Sequence, residues 1–172
     1  MDVIEFFELS AGKWFSQRTV HNLNSGALQA GKSDLKIEIL TATDAAVVKL
    51  CQQHSINPAS TKLTSVRISW DGTPDRSEAK QIGSTILAIV PNPDNPSEGQ
   101  VLQDKGNTRY VMGGDDVLTL ITESDTIHAE ERLWYFMPNL RFRTSVVKQA
   151  NGTEQASFCS EIRMGVTAKT PE

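Results

Sequence analysis

The chain is short of the features that would place it in several large protein classes. It carries two cysteines in 172 residues, Cys51 and Cys159, far apart and without any Cys/His array at metal-ligand spacing. No metal site is expected from that pattern. Both thiols read as free in a reducing compartment, with a single long-range disulfide as the alternative. Lys and Arg number 17 against 21 Asp and Glu, a net charge of -4, and no basic block occurs anywhere. Nucleic acid is a poor partner for such a chain, because phosphate contacts need clustered positive charge. The opening MDVIEFFELS is acidic, and no apolar run approaches the ~20 residues that cross a bilayer. A soluble, cytoplasmic protein without a membrane span is the expectation. A Gly-rich phosphate loop, a zinc pattern and a nucleophile elbow are also missing. Gly113-Gly114-Asp115-Asp116 reads as a turn, since it lacks the spaced oxygen ligands of a calcium loop.

What is present is strand character. The hydrophobic share of 38% is above what disorder predicts, and β-branched residues gather in short runs. The length suits one domain over 1-172 with a sizeable core. Asp2 can cap a first helix, with Glu5 three positions on and Val3, Phe6, Phe7 and Leu9 as its apolar side, ended by Gly12. Thr43 and Asp44 open a second, running to about His54 and stopped by Asn57-Pro58. Strands are predicted at Trp14 to His21, Leu35 to Leu40, Lys62 to Trp70 and Gln81 to Val90, with a turn-rich stretch from Asn22 to Gly31 and a turn at Asp71-Gly72. Six more follow after the loop of Pro91, Pro93 and Pro96: Gly99 to Gln103, Thr108 to Met112, Val117 to Thr122, Thr126 to Phe136, Leu140 to Gln149 and Gln155 to Met164. Eight to ten antiparallel strands with two helices predict a mainly β fold, a closed barrel in preference to a sandwich, because closure leaves no unpaired edge and can enclose one small ligand.

Aromatic residues make up only 6% of the chain, yet Trp134 and Tyr135 stand together beside Glu130, Glu131, Arg132, Arg141 and Arg143 around one Met-Pro-Asn turn. Arg141 and Arg143 are two apart on one strand, so both guanidinium groups point to the same side and can each hold a carboxylate bidentately. The alternative is an exterior face of solvated arginines. Glu131 and Trp134 lie on the preceding strand, where one could accept ligand N-H groups and the other stack on a flat conjugated system. They differ in parity, so a regular strand points only one of them inward unless a bulge intervenes. Trp70 reads equally as barrel core or pocket wall. His21 reads as a rim histidine or as a ligand contact and proton-transfer group. Cys159 reads as a packed thiol in preference to a nucleophile.

Three stretches carry a resemblance. Glu5 to His21 (EFFELSAGKWFSQRTVH), Glu131 to Lys148 (ERLWYFMPNLRFRTSVVK) and Gln155 to Arg163 (QASFCSEIR) resemble the S-type, CpcS/CpeS-like phycobiliprotein lyases of cyanobacteria and some plastids. The resemblance implies a lipocalin-like (calycin) β-barrel that binds an open-chain tetrapyrrole, phycocyanobilin or a related bilin, as substrate with no tightly bound cofactor. It also implies delivery of that bilin to a cysteine of an apo phycobiliprotein subunit as a thioether, in the cyanobacterial cytosol or plastid stroma. On that pattern Arg141 and Arg143, with Arg18 as a further contact, meet the two propionates. Trp70 or Trp134 carries the pigment's π system, and Glu131 and His21 are the candidate catalytic groups. Asn22, where relatives often have a second His, and the bulky Phe136-Met137 pair depart from the pattern. A carrier of the same fold without transferase activity, or a phycobilisome assembly partner, is the competing expectation. The strand faces permit a homodimer or a heterodimer with a related lyase subunit.

Overall fold

The computed structural model describes residues 1-74 and 79-165. Helix α1 (Val3–Ser10) is followed by β1 (Gly12–Asn22), β2 (Leu28–Leu40), α2 (Ala45–Gln53), β3 (Thr64–Pro74), β4 (Gln81–Pro91), β5 (Glu98–Leu102) and β6 (Asn107–Met112). Strands β7 (Leu118–Glu123), β8 (Ile127–Met137), β9 (Leu140–Gln149) and β10 (Glu154–Arg163) complete the chain. Each strand pairs antiparallel with the next, and β10 pairs with β1, which closes a ten-strand barrel.

The caps explain why the helices sit where they do. The Asp2 carboxylate accepts the Glu5 N-H at 2.8 Å and that of Asp44 accepts the Ala46 N-H at 2.9 Å, each satisfying an otherwise orphaned donor of a first turn. At the other end of α1, Arg163 donates to the carbonyls of Ala11 (2.6 Å) and Leu9 (2.5 Å), supplying both charge and donors where the helix leaves acceptors free. Val3, Phe6 and Phe7 of α1 belong to the barrel core with Trp14, Ile37, Val66, Leu87, Tyr110 and Leu118, so α1 closes one end of the barrel. Helix α2 lies instead on the outer face of β4 and β5, where Val47, Leu50 and Cys51 pack on Ala88 and Leu102. Burial of side chains such as Val47 and Leu50 stabilises that packing by about 1.5–3 kcal/mol each.

Two features differ from the sequence expectation. The stretch read as turn-rich up to Gly31 turns only at Leu23 to Ala27, and β2 starts at Leu28, pairing Leu28 with His21 and Gly31 with Arg18. Ladder pairing with a committed β1 overrides the weak strand propensity of LQAG. Asp71-Gly72 is not a turn but the continuation of β3, with Gly72 opposite Ser33 and Gln81. A Cβ at Gly72 would stand 2.3 Å from Ser33 Oγ, so the glycine serves close strand approach.

Candidate functional site

The barrel encloses a cavity of about 370 Å³, within the roughly 300–1,000 Å³ typical of small-molecule sites. Its walls have two characters. Leu35, Ile68, Trp70, Leu87, Val101 and Leu120 form an apolar side, and β8, β9, β10 and β1 bring Glu131, Arg143, Arg141, Glu161 and Arg18 to the other.

The charged wall follows from register. Arg141 stands opposite Tyr135 and Glu161, Arg143 opposite Leu133 and Cys159, and Cys159 opposite Arg18. Directly paired residues share a face, so these side chains converge on the lumen. Nearest α1, Arg141 donates Nε to Glu161 Oε2 at 2.7 Å, holds Nη2 2.5 Å from the same oxygen and donates Nη1 to Ser10 Oγ at 2.8 Å. Ser10 in turn donates to Phe6 O at 2.9 Å. With its one proton used there, the 2.8 Å contact with Tyr135 places the tyrosine hydroxyl as donor. Arg141 also lies over the Trp14 ring at 4.9 Å, and Arg163 over the same ring at 4.2 Å. Side-chain exposures of 5% for Arg141 and 1% for Glu161 make this a sealed ion pair.

One turn of the pleat further from α1 the geometry loosens. The Arg143 side chain is 32% exposed and its guanidinium has only long partners: Cys159 Sγ at 3.6 Å, Glu161 Oε1 at 3.7 Å and Glu131 Oε1 at 4.0 Å. Burial works against its charge, and Glu161 foremost, with Glu131, outweighs that and holds its pKa above the ordinary arginine value. Arg18 lines the lumen, exposed, on the far side of Cys159.

The expected site residues therefore separate. Arg18, Trp70, Glu131, Arg141 and Arg143 all line the cavity. Trp134 does not: it pairs with Phe142 and its ring packs on that residue outside the barrel, at 5.8 Å between centroids. The bulge that could have turned it inward lies after it, between Tyr135 and Met137. His21 is exposed and pairs with Ala156 and Leu28 on the outward-facing set of β1, away from the lumen. Cys51 and Cys159 are buried free thiols, and burial raises the Cys51 pKa. Trp70 rests against Gly83, where a Cβ would stand 2.5 Å from the indole. Glu161 and Ser10 were not anticipated. The signal for Glu161 lay in the Asn151-Gly152 turn, which sets the β9–β10 register and so places Glu161 opposite Arg141.

A closed antiparallel barrel plugged by a helix at one end, with a hollow lumen and cations along one wall, is a small-ligand-binding barrel. Residues 2–164 match the family model described as CpeS-like protein. The chain is 54% identical over 170 residues to "Chromophore lyase CpcS/CpeS 1" of Trichodesmium erythraeum, covering 95% of this chain and 98% of that one. It is 34% identical to "Phycocyanobilin lyase subunit CpcS" of Picosynechococcus, across 98% of this chain and 89% of the relative. Among solved structures, the S-type phycobiliprotein lyase CPES from Guillardia theta superposes with a TM-score of 0.90 at 32% identity, covering 97% of this chain and 95% of that chain. The chain belongs to the CpeS-like family.

Proposed function

We propose that this chain is a bilin lyase: it holds an open-chain tetrapyrrole in the lumen without a covalent bond and presents it to a cysteine of an apo phycobiliprotein subunit. The observation that supports this reading most directly is the pairing, inside one closed cavity, of a cationic wall with an indole wall. A bilin is a long conjugated system bearing two carboxylates and several N-H groups. Arg143 and Arg18 suit the carboxylates, Glu131 suits the ring N-H groups and Trp70 suits the π face.

Attachment needs little covalent help. The acceptor thiol adds to the ethylidene carbon of ring A: the S–C bond forms, the exocyclic double bond is consumed, its electrons move into the ring A lactam, and a proton is taken up. A bilin held protonated beside Glu131 is a better electrophile than a free one. Fixing the pigment before the thiol arrives removes part of the orientational cost of the encounter. The barrel's service is placement, protonation and choice of face. It would work where apo subunits are made, in cyanobacterial cytosol or plastid stroma. Among the described residues no helix is long and apolar enough to cross a membrane. The word "subunit" in the Picosynechococcus relative's name supports pairing with a second lyase chain, as homodimer or heterodimer.

The test is to incubate the protein with phycocyanobilin and an apo phycobiliprotein subunit and to follow acid-stable visible absorbance on the acceptor. Colour transferred to the acceptor in excess of the enzyme-free reaction is expected. Colour that stays on the barrel while the acceptor remains no more coloured than that control would instead make the protein a carrier.

A further inference from the structure

Two arginines two residues apart on one strand look equivalent in sequence, and the structure makes them unequal. Arg141 spends Nε, Nη1 and Nη2 on Glu161 and Ser10 at 2.5–2.8 Å, while the contacts of Arg143 run from 3.6 to 4.0 Å. Glu161 is asymmetric too. Its Oε2 takes both Arg141 contacts, and its Oε1, buried with the rest of the side chain, accepts no hydrogen bond. A buried carboxylate oxygen without a donor is costly and is retained where something else depends on it. The group nearest that oxygen is the Arg143 guanidinium, at 3.7 Å. Charges along the wall alternate as Glu131, Arg143, Glu161, Arg141, so these four sum to zero. Arg18 forms no ion pair among the described residues and adds the cation that a dianion needs.

We infer that Glu161 is a positioning residue that decides which arginine meets the ligand: it holds Nε and Nη2 of Arg141, whose Nη1 goes to Ser10, and tethers Arg143 loosely, so the carboxylate clamp is Arg143 with Arg18. Those two residues occupy one rung of the sheet with Cys159 between them. Two strand spacings put their backbones roughly 9–10 Å apart, a separation that long flexible guanidinium side chains bridge to two carboxylates of one ligand. Arg141 serves the clamp from behind: by neutralising Glu161 it keeps that carboxylate from capturing Arg143. This rests on the bilin-lyase reading above, and it assigns the pigment's propionates to one arginine of the Arg-x-Arg pair.

A rescue experiment tests it, with phycocyanobilin and its dimethyl ester as paired probes and the ratio of their dissociation constants as the readout. Loss of fold moves both constants together, whereas loss of the clamp moves the ratio. Arg143→Gln and Arg18→Gln should each lower the preference for the diacid about tenfold or more, the scale of a charge-assisted hydrogen bond. Arg141→Met should also lower it, because the orphaned Glu161 then pairs closely with Arg143 and withdraws it from the ligand. Adding Glu161→Met to Arg141→Met should restore the preference to within about twofold of wild type. That double exchange replaces a neutral pair by two apolar chains of similar volume, so it keeps the barrel folded. Should the double variant stay as impaired as Arg141→Met alone, Arg141 contacts the ligand itself and the inference is overturned. A wild-type protein that binds neither probe overturns the bilin reading and this inference together. Wild-type binding with a diacid preference that Arg143→Gln and Arg18→Gln leave unchanged overturns this inference alone.

Discussion

The strands β8, β9 and β10 have two faces with opposite chemistry, and the usual arrangement is inverted. Their lumen side carries Glu131, Arg141, Arg143 and Glu161. Their outer side carries Trp134, Phe136 and Phe158 around Phe142, whose ring makes tilted contacts with each of the three at 5.5–5.8 Å between centroids. Phe136 is 62% exposed and Phe158 44%. Burying Arg141 and Glu161 while exposing Phe136 and Phe158 opposes what hydrophobic burial alone would select. The stability of the barrel is supplied elsewhere, by the α1-capped core and the α2 cluster, and this leaves the charged wall free for ligand chemistry. The outer ring cluster is stabilised by cross-strand packing of residues that share a face.

The contrast is tested most severely by unpairing the inner charges. Arg141→Ala leaves Glu161 a buried carboxylate with Arg143, 3.7 Å away, to compensate it in part, and Glu161→Ala leaves Arg141 as a buried cation. Each should cost about 3–5 kcal/mol of folding stability in urea denaturation, whereas the Arg141→Met/Glu161→Met exchange should be near neutral or stabilising. Equal losses for the single and the double variants would mean that packing, not charge pairing, is what the wall contributes.

A second inner group separates charge from polarity. Tyr110 is 1% exposed and donates its hydroxyl to Pro96 O at 2.9 Å. Burial first, and Asp2 second, push its pKa up to about 12. The neutral phenol is the form that folding favours, so its contribution is complete below about pH 10, the unfolded value, and is lost as pH rises from there through 12. The loss is about 2–3 kcal/mol for a shift of that size. Denaturation of wild type and Tyr110→Phe across pH 9 to 12 should show a steeper decline in wild type, the difference opening only above about pH 10.

The architecture was legible in the sequence because its signals are local. Period-two alternation, turn residues between strands and the capping aspartates each act over a few residues, and all ten strands and both helices stand where those signals put them, with ends displaced. The largest displacement is β2, whose first residues have little strand propensity of their own and are ordered only by pairing with β1. The cavity wall was half legible. Parity on β9 put Arg141 and Arg143 on one side, and the cross-strand register on β8 and β10 was needed to find that Glu131 and Glu161 share that side while Trp134 does not. The difference between the two arginines lies in contact distances, 2.5–2.8 Å against 3.6–4.0 Å, which no residue pattern encodes.

Trp134 and Trp70 bring the comparison of faces to its smallest expected effect. Trp70 lines the lumen and rests on Gly83, and Trp134 packs outside on Phe142. If the lumen alone holds the pigment, Trp70→Ala changes the absorption band of bound phycocyanobilin, since an indole stacked on a conjugated system contributes to its electronic environment. Trp134→Ala should leave the band and the dissociation constant unchanged within about twofold. Its cost is confined to one aromatic pair on a partly solvated surface, about 0.5–1.5 kcal/mol in denaturation. A shifted band in Trp134→Ala with Trp70→Ala silent would put the pigment on the outer face of the sheet. The charged lumen would then be an internal brace and not a binding wall.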